Sequence, residues 1–136
     1  MLVVGDEEPE HIAEILSQVG IEAWAARDPQ HALEDLLGGV PFGPHAPPNA
    51  IVVNVRTDRE ALVRSFKENP ATSRLPVIVL SGDQSDAHRL SMYEAGASLF
   101  LVKHHEPAKL RHDLERMARF WCSLVLPPPS IVARPA

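Results

Sequence analysis

The polar groups that could do chemistry stand singly, each at the end of an apolar run. Asp6 and Glu7 follow Met1 to Val4, and Asn54 interrupts AIVVNV over 50–55. Ser81 follows PVIVL over 76–80, and Lys103 follows SLFLV over 98–102. Together they offer two carboxylates, a carboxamide, a hydroxyl and an ammonium. Other chemistries lack their residues. There are seven histidines, and His104, His105 and His112 fall near one another, but the chain has no HExxH motif and no paired-cysteine spacing. Surface histidines are the expectation, with no metal and no other cofactor. Gly38, Gly39 and Gly43 punctuate a loop and do not form a phosphate cradle, and no Ser-His-Asp order sits in a nucleophile elbow.

The elements that must position these groups are bounded first by size and charge. The chain has 136 residues, with 13 Lys+Arg against 18 Asp+Glu and a formal charge of −5. That is the length of one domain, which buries roughly two thirds of the surface of its unfolded chain. The single Cys122 excludes a disulfide framework and a cysteine-cluster zinc site, and it suits a reducing cytosol. The acidic balance argues against a nucleic-acid partner, since phosphate binding needs a dense basic patch. No apolar run approaches the roughly 20 residues of a membrane span, and no signal peptide opens the chain, so no membrane association is expected.

Along the chain, apolar runs alternate with helical spacing. Met1 to Val4 reads as a buried strand. Ile12, Ile15, Leu16 and Val19 mark a helix over 11–19 that Gly20 stops. Ile21 to Ala26 reads as a second strand, and Ala32, Leu33, Leu36 and Leu37 as a second helix opened by Asp28-Pro29. Residues 40–49 carry Pro41, Gly43, Pro44, Pro47 and Pro48 and must form a loop. A strand over 50–55 precedes a helix over 59–68 with Leu62, Val63 and Phe66 inward. A strand over 76–80 precedes a helix over 88–95 that Gly96 stops. A strand over 98–102 precedes a helix over 107–122, whose core face is Leu110, Leu114, Met117 and Trp121. Residues 127–136 form a Pro-rich flexible tail with no core pattern, which leaves a domain over 1–126.

Five alternations of strand and helix predict an α/β fold: a five-stranded parallel sheet with helices on both faces, flavodoxin-like. In such a fold functional groups gather at the carboxyl ends of the strands. Those ends bring together Gly5, Asp6 and Glu7, Asn54, Ser81 and Lys103.

VVGDEE, PNAIVVNV, LPVIVLSG, YEAGASLFLVK and ARFW resemble the receiver domain of two-component response regulators over about residues 1–124. The Pro-rich insert and the Phe120-Trp121 ending are similar to single-domain regulators that partner phytochrome-type kinases. The resemblance implies an aspartyl-phosphate site: an Asp ending the third strand, two acids holding Mg²⁺, and a hydroxyl and a lysine on the phosphoryl oxygens. Asp6 fits the second acidic position, Ser81 the hydroxyl and Lys103 the lysine. Phe100 stands at the aromatic switch position. Gly5 stands where the first acid would be, and Asn54 stands at the phosphoacceptor position.

These departures matter chemically. A carboxamide oxygen is neutral and its nitrogen is deactivated by resonance, so Asn54 cannot form an acyl phosphate. Asp6 and Lys103 leave a neutral pocket where the family carries excess negative charge, which makes a poor Mg²⁺ site; a second carboxylate from Glu7 is weighed against its being a solvated surface group. A direct Asp6–Lys103 ion pair, bridged or flanked by Asn54, is expected. The segment Val55 to Asp58 replaces the family's longer loop after the third strand; Asp58 lies beyond the strand end, which argues against its serving as a displaced acceptor. His104 replaces the proline that follows the family lysine, so a trans peptide is expected there.

The function expected is that of a degenerate, or pseudo-, receiver in phosphorelay signalling, cytoplasmic and not an enzyme. It would act by phosphorylation-independent contact with a sensor histidine kinase, another receiver or a second copy in a homodimer. No output domain is expected after the last apolar segment. Phe120, Cys122, Leu124, Val125 and Leu126 lie outside the core face of the last helix and exceed what one buried face needs; Phe120, Leu124 and Leu126, with Trp121 at the end of the core face, are the interface candidates. Two alternatives stand beside this reading: a phosphorylatable response regulator that accepts phosphate from a kinase, and a small-ligand-binding module.

Overall fold

The computed structural model describes residues 1–6, 8–28, 49–70 and 72–124, the last four without their side chains. The helix expected over 32–37, the loop over 40–48 and the tail over 127–136 lie outside the described residues. Five strands form one parallel sheet: β1 (Leu2–Gly5), β2 (Trp24–Ala26), β3 (Ile51–Asn54), β4 (Val77–Ser81) and β5 (Leu99–Val102). Their order across the sheet is β2-β1-β3-β4-β5, the flavodoxin-like arrangement, with β5 at one edge. Four helices are described: α1 (Pro9–Gln18), α2 (Arg59–Glu68), α3 (Asp86–Ala95) and α4 (Pro107–Leu124).

The apolar strands are buried on both faces because side chains alternate across a pleated ladder. Val3, Val52, Ile78 and Leu80 face α1 and α4, where they meet Ile12, Leu16, Leu110, Leu114 and Met117. Leu2, Val4, Ile51, Val53, Val77 and Val79 face α2 and α3, where they meet Val63, Phe66 and Met92. The predicted helix faces are therefore the core faces; the side chain of Trp121 is outside the described residues.

Three elements start two or three residues from the sequence reading, each through a local hydrogen bond or a backbone constraint. α1 starts at Pro9 and not at His11, with the proline in its first turn, where no amide donor is needed. β2 begins at Trp24 and not at Ile21, because the Ile21 amide closes α1 on the Leu16 carbonyl at 2.9 Å and is unavailable to the ladder. α3 begins at Asp86 and not at His88, because the Ser85 hydroxyl accepts the His88 amide at 3.2 Å. Gly96 ends α3 with φ +114°, and a side chain there would also strike Lys67.

Leu114 is fully buried where α4 meets the sheet. Leu114→Ala is expected to lower unfolding stability by about 2–5 kcal/mol in urea titration, since the cavity between two rigid layers cannot fully collapse.

Candidate functional site

Parallel strands end on one side, so the register decides which polar groups meet. Gly5 lies opposite Asn54, and Ser81 opposite Val102. Lys103 continues from β5, and its amide donates to the Ser81 carbonyl at 2.8 Å, which carries the lysine back over the strand ends. Asn54 and Ser81 are 2% and 1% exposed. Polar groups buried to that degree need partners. The Asn54 Oδ1 finds one in the Lys103 Nζ at 3.2 Å.

The expected Asp6–Lys103 ion pair does not form. Lys103 reaches the buried amide oxygen of Asn54, while the exposed Asp6 Oδ1 accepts the Arg56 backbone N–H at 3.3 Å. The physical reason is the difference in burial. A solvated carboxylate gains little from an ion pair, whereas a buried carbonyl oxygen without a donor costs about 1–3 kcal/mol. The flanking role expected of Asn54 is thus its main role here.

Gly5 is the tightest point of the site. A Cβ built on it lies 2.3 Å from the Asn54 carbonyl oxygen and 3.1 Å from its carbonyl carbon. Both contacts are to backbone, which cannot swing aside as a flexible side chain would. The position that the resemblance assigns to an acid thus has no room for any side chain while β1 and β3 keep this approach.

The donor set of the described residues does not fit a divalent cation. Among the described residues it provides one carboxylate, Asp6, and an amide oxygen already bonded to an ammonium. A hard cation with near-octahedral demands needs more oxygen ligands of higher charge. Glu7 lies outside the described residues.

Ser81 belongs to a network that the sequence reading missed. Its Oγ accepts the Asp83 amide at 3.1 Å and lies 3.1 Å from His88 Nε2. The His88 ring meets Phe100 edge to face, with centroids 5.6 Å apart and planes at 75°. The Phe100 amide in turn donates to the Tyr93 hydroxyl at 3.2 Å. Phe100 is therefore held by two residues of α3. The available signal was the Ser85-Asp86 helix start, which brings His88 into the first turn beside the end of β4. Asp83 accepts the Ser85 amide at 2.9 Å, and chiefly this bond holds its carboxyl below the usual range.

The remaining candidates divide. Among the described residues all peptides are trans, including Lys103–His104. His104 Nε2 lies 3.0 Å from Asp113 Oδ2 and ties the loop to α4. Phe120 is exposed, and so are Leu90 and Tyr93 on α3, which the sequence reading did not single out. Leu126 and the side chains of Trp121 and Leu124 lie outside the described residues.

Several solved structures share this architecture. The Mn²⁺-bound form of response regulator Rcp1 superposes with a TM-score of 0.78 at 24% identity, covering 94% of this chain and 97% of that one. The phosphorylated cyanobacterial phytochrome response regulator RcpA gives 0.79 at 21% identity, covering 94% and 96%. A response regulator in red light signalling of R. palustris gives 0.78 at 21%, covering 95% and 99%. At these identities the likeness establishes the receiver fold. No protein-family model and no curated protein matches the chain.

Two outcomes follow from this geometry. Gly5→Ala is expected to destabilise the protein by about 1–3 kcal/mol in chemical denaturation, through overpacking against β3. The Asp83 carboxyl titrates below its unfolded value, so its bond to Ser85 is complete above the ordinary carboxylate range and is lost as pH falls through the lower folded value. The Ser85 amide resonance, followed by NMR, should report that lowered midpoint, and Asp83→Asn should abolish the titration.

Proposed function

We propose that this chain is a receiver-type module of two-component signalling that works through protein contact and carries no phosphate. The observation that carries this reading is the Asn54 amide, buried at the end of β3 with its oxygen on Lys103. An aspartyl phosphate needs an anionic carboxylate oxygen at that point and a cation to offset the charge of the incoming phosphoryl group. Among the described residues this site has a neutral amide, one exposed carboxylate and a glycine whose Cβ would strike the backbone of β3. The Mn²⁺ and the phosphoryl group named for the structural neighbours are therefore not transferred to this chain.

The partner would be a sensor histidine kinase, another receiver or a second copy. Its contact face would lie along the edge strand β5 and the helices on either side of it. Leu90, Tyr93 and Phe120 are 59%, 43% and 49% exposed there and supply apolar area that the core does not use. In this reading the Ser81–His88–Phe100 contacts would hold one arrangement behind that face. Such a module needs no catalysis, and its setting would be the cytoplasm; among the described residues no helix is long and apolar enough to cross a membrane.

Incubation with acetyl phosphate and Mg²⁺, followed by intact mass measurement, tests the reading. The mass is expected to stay unchanged. A gain of one phosphoryl group, on Asp58 or any other carboxylate, would identify a working phosphoacceptor instead.

A further inference from the structure

Between the start of α2 and the outward side of α3 lies a groove of about 540 Å³, beside the strand-end pocket and sharing His88 with it. Its charged side chains are unequally occupied. Glu60 is saturated: Arg64 donates to its Oε1 through Nη2 at 2.9 Å and Nε at 3.3 Å, and the Ser91 hydroxyl donates to its Oε2 at 2.8 Å. That set braces α2 against α3 and leaves no carboxylate oxygen without a donor. Arg59 is anchored differently. Its Nε donates to the Val55 carbonyl at 2.6 Å, the side chain is half-buried, and its Nη atoms have no hydrogen-bond partner among the described residues, the nearby Asp83 carboxylate acting on it and on His88 through space. Asp58, the other acid of the groove, makes no helix-cap bond.

The contact of His88 Nε2 with Ser81 leaves Nδ1 as the ring nitrogen that can face an occupant. Ser81 Oγ accepts from the Asp83 amide and can give its own proton to His88 Nε2. In that tautomer the ring hydrogen sits on Nδ1, which becomes a donor toward an occupant. Guanidinium and imidazole donors thus come from two different helices. A planar carboxylate would be filled by the fork of Arg59 alone, whereas a tetrahedral oxyanion has oxygens for both. Met92 and Ala61 supply apolar lining, and the volume suits a small organic molecule.

We propose that this groove binds a small phosphate monoester, with Arg59 and His88 on the phosphate oxygens and Asp58 accepting a hydrogen bond from the organic part. The site is independent of the contact reading above. Because His88 also holds Ser81 and packs on Phe100, an occupant would touch the group that orients the β5 edge.

The test is an NMR titration of the full chain with inorganic phosphate, adenosine monophosphate and adenosine. Saturable shifts at the amides of Arg59, His88 and Ser91 are expected with the monophosphate, weaker binding with inorganic phosphate and none with adenosine. Arg59→Gln should weaken the monophosphate about tenfold or more, the loss of one charge-assisted contact. Ala61→Glu places a carboxylate at an exposed helical position whose side chain makes no hydrogen bond, and it should weaken binding to a similar degree. It decides the matter if Arg59→Gln disturbs the fold. Shifts that fail to saturate, monophosphate binding no tighter than phosphate or adenosine, or affinity unchanged in Ala61→Glu would each overturn the proposal.

Discussion

Where β3 ends, the Lys103 ammonium lies 3.2 Å from the Asn54 amide oxygen, and the rest of the site is arranged around that contact. A lysine brought to the mouth of a parallel sheet needs an acceptor, and a buried amide needs a donor. The Lys103 ammonium donates to the Asn54 amide oxygen and meets part of both needs. In the reading proposed above, an amide at this point would lack the anionic nucleophile that phosphoryl chemistry requires. Asp6 remains in solvent and takes the Arg56 amide instead.

A second constraint comes from the backbone. β1 and β3 approach so closely at Gly5 that the Asn54 carbonyl occupies the space a side chain would need. The glycine at 5 and the backbone carbonyl of residue 54 thus belong to one local geometry. The stability of the pocket comes from the layers behind it, where apolar side chains of every strand are packed between two pairs of helices. That packing leaves the strand ends little freedom to reopen.

The proposed roles of the molecule divide between two surfaces that share His88. One is the β5 edge with its exposed Leu90, Tyr93 and Phe120; the other is the groove beside Arg59. Ser81, His88 and Phe100 form a continuous set of contacts from the end of β4 to the edge strand, with Tyr93 holding the Phe100 amide. A rigid set of this kind suits a protein that presents a face, and it gives any occupant of the groove a physical route to that face.

The sequence by itself determined the sheet and the identity of the groups at its mouth. Continuous apolar runs such as PVIVL have only one stable environment, a strand covered on both sides, and helical spacing such as Leu110, Leu114 and Met117 has only one buried face. Ladder order and parallel direction then carry Gly5, Asn54, Ser81 and Lys103 to one edge. What tertiary structure alone decided was who bonds to whom. Lys103 could have chosen Asp6 or Asn54, and relative burial, which no spacing rule reports, selected the amide. His88 was legible only as a helical residue, because its tie to Ser81 depends on how the turn before α3 folds back over β4. The clash that holds position 5 to glycine likewise arises from two backbones far apart in the chain, and the Arg59 groove from the packing of α2 beside α3.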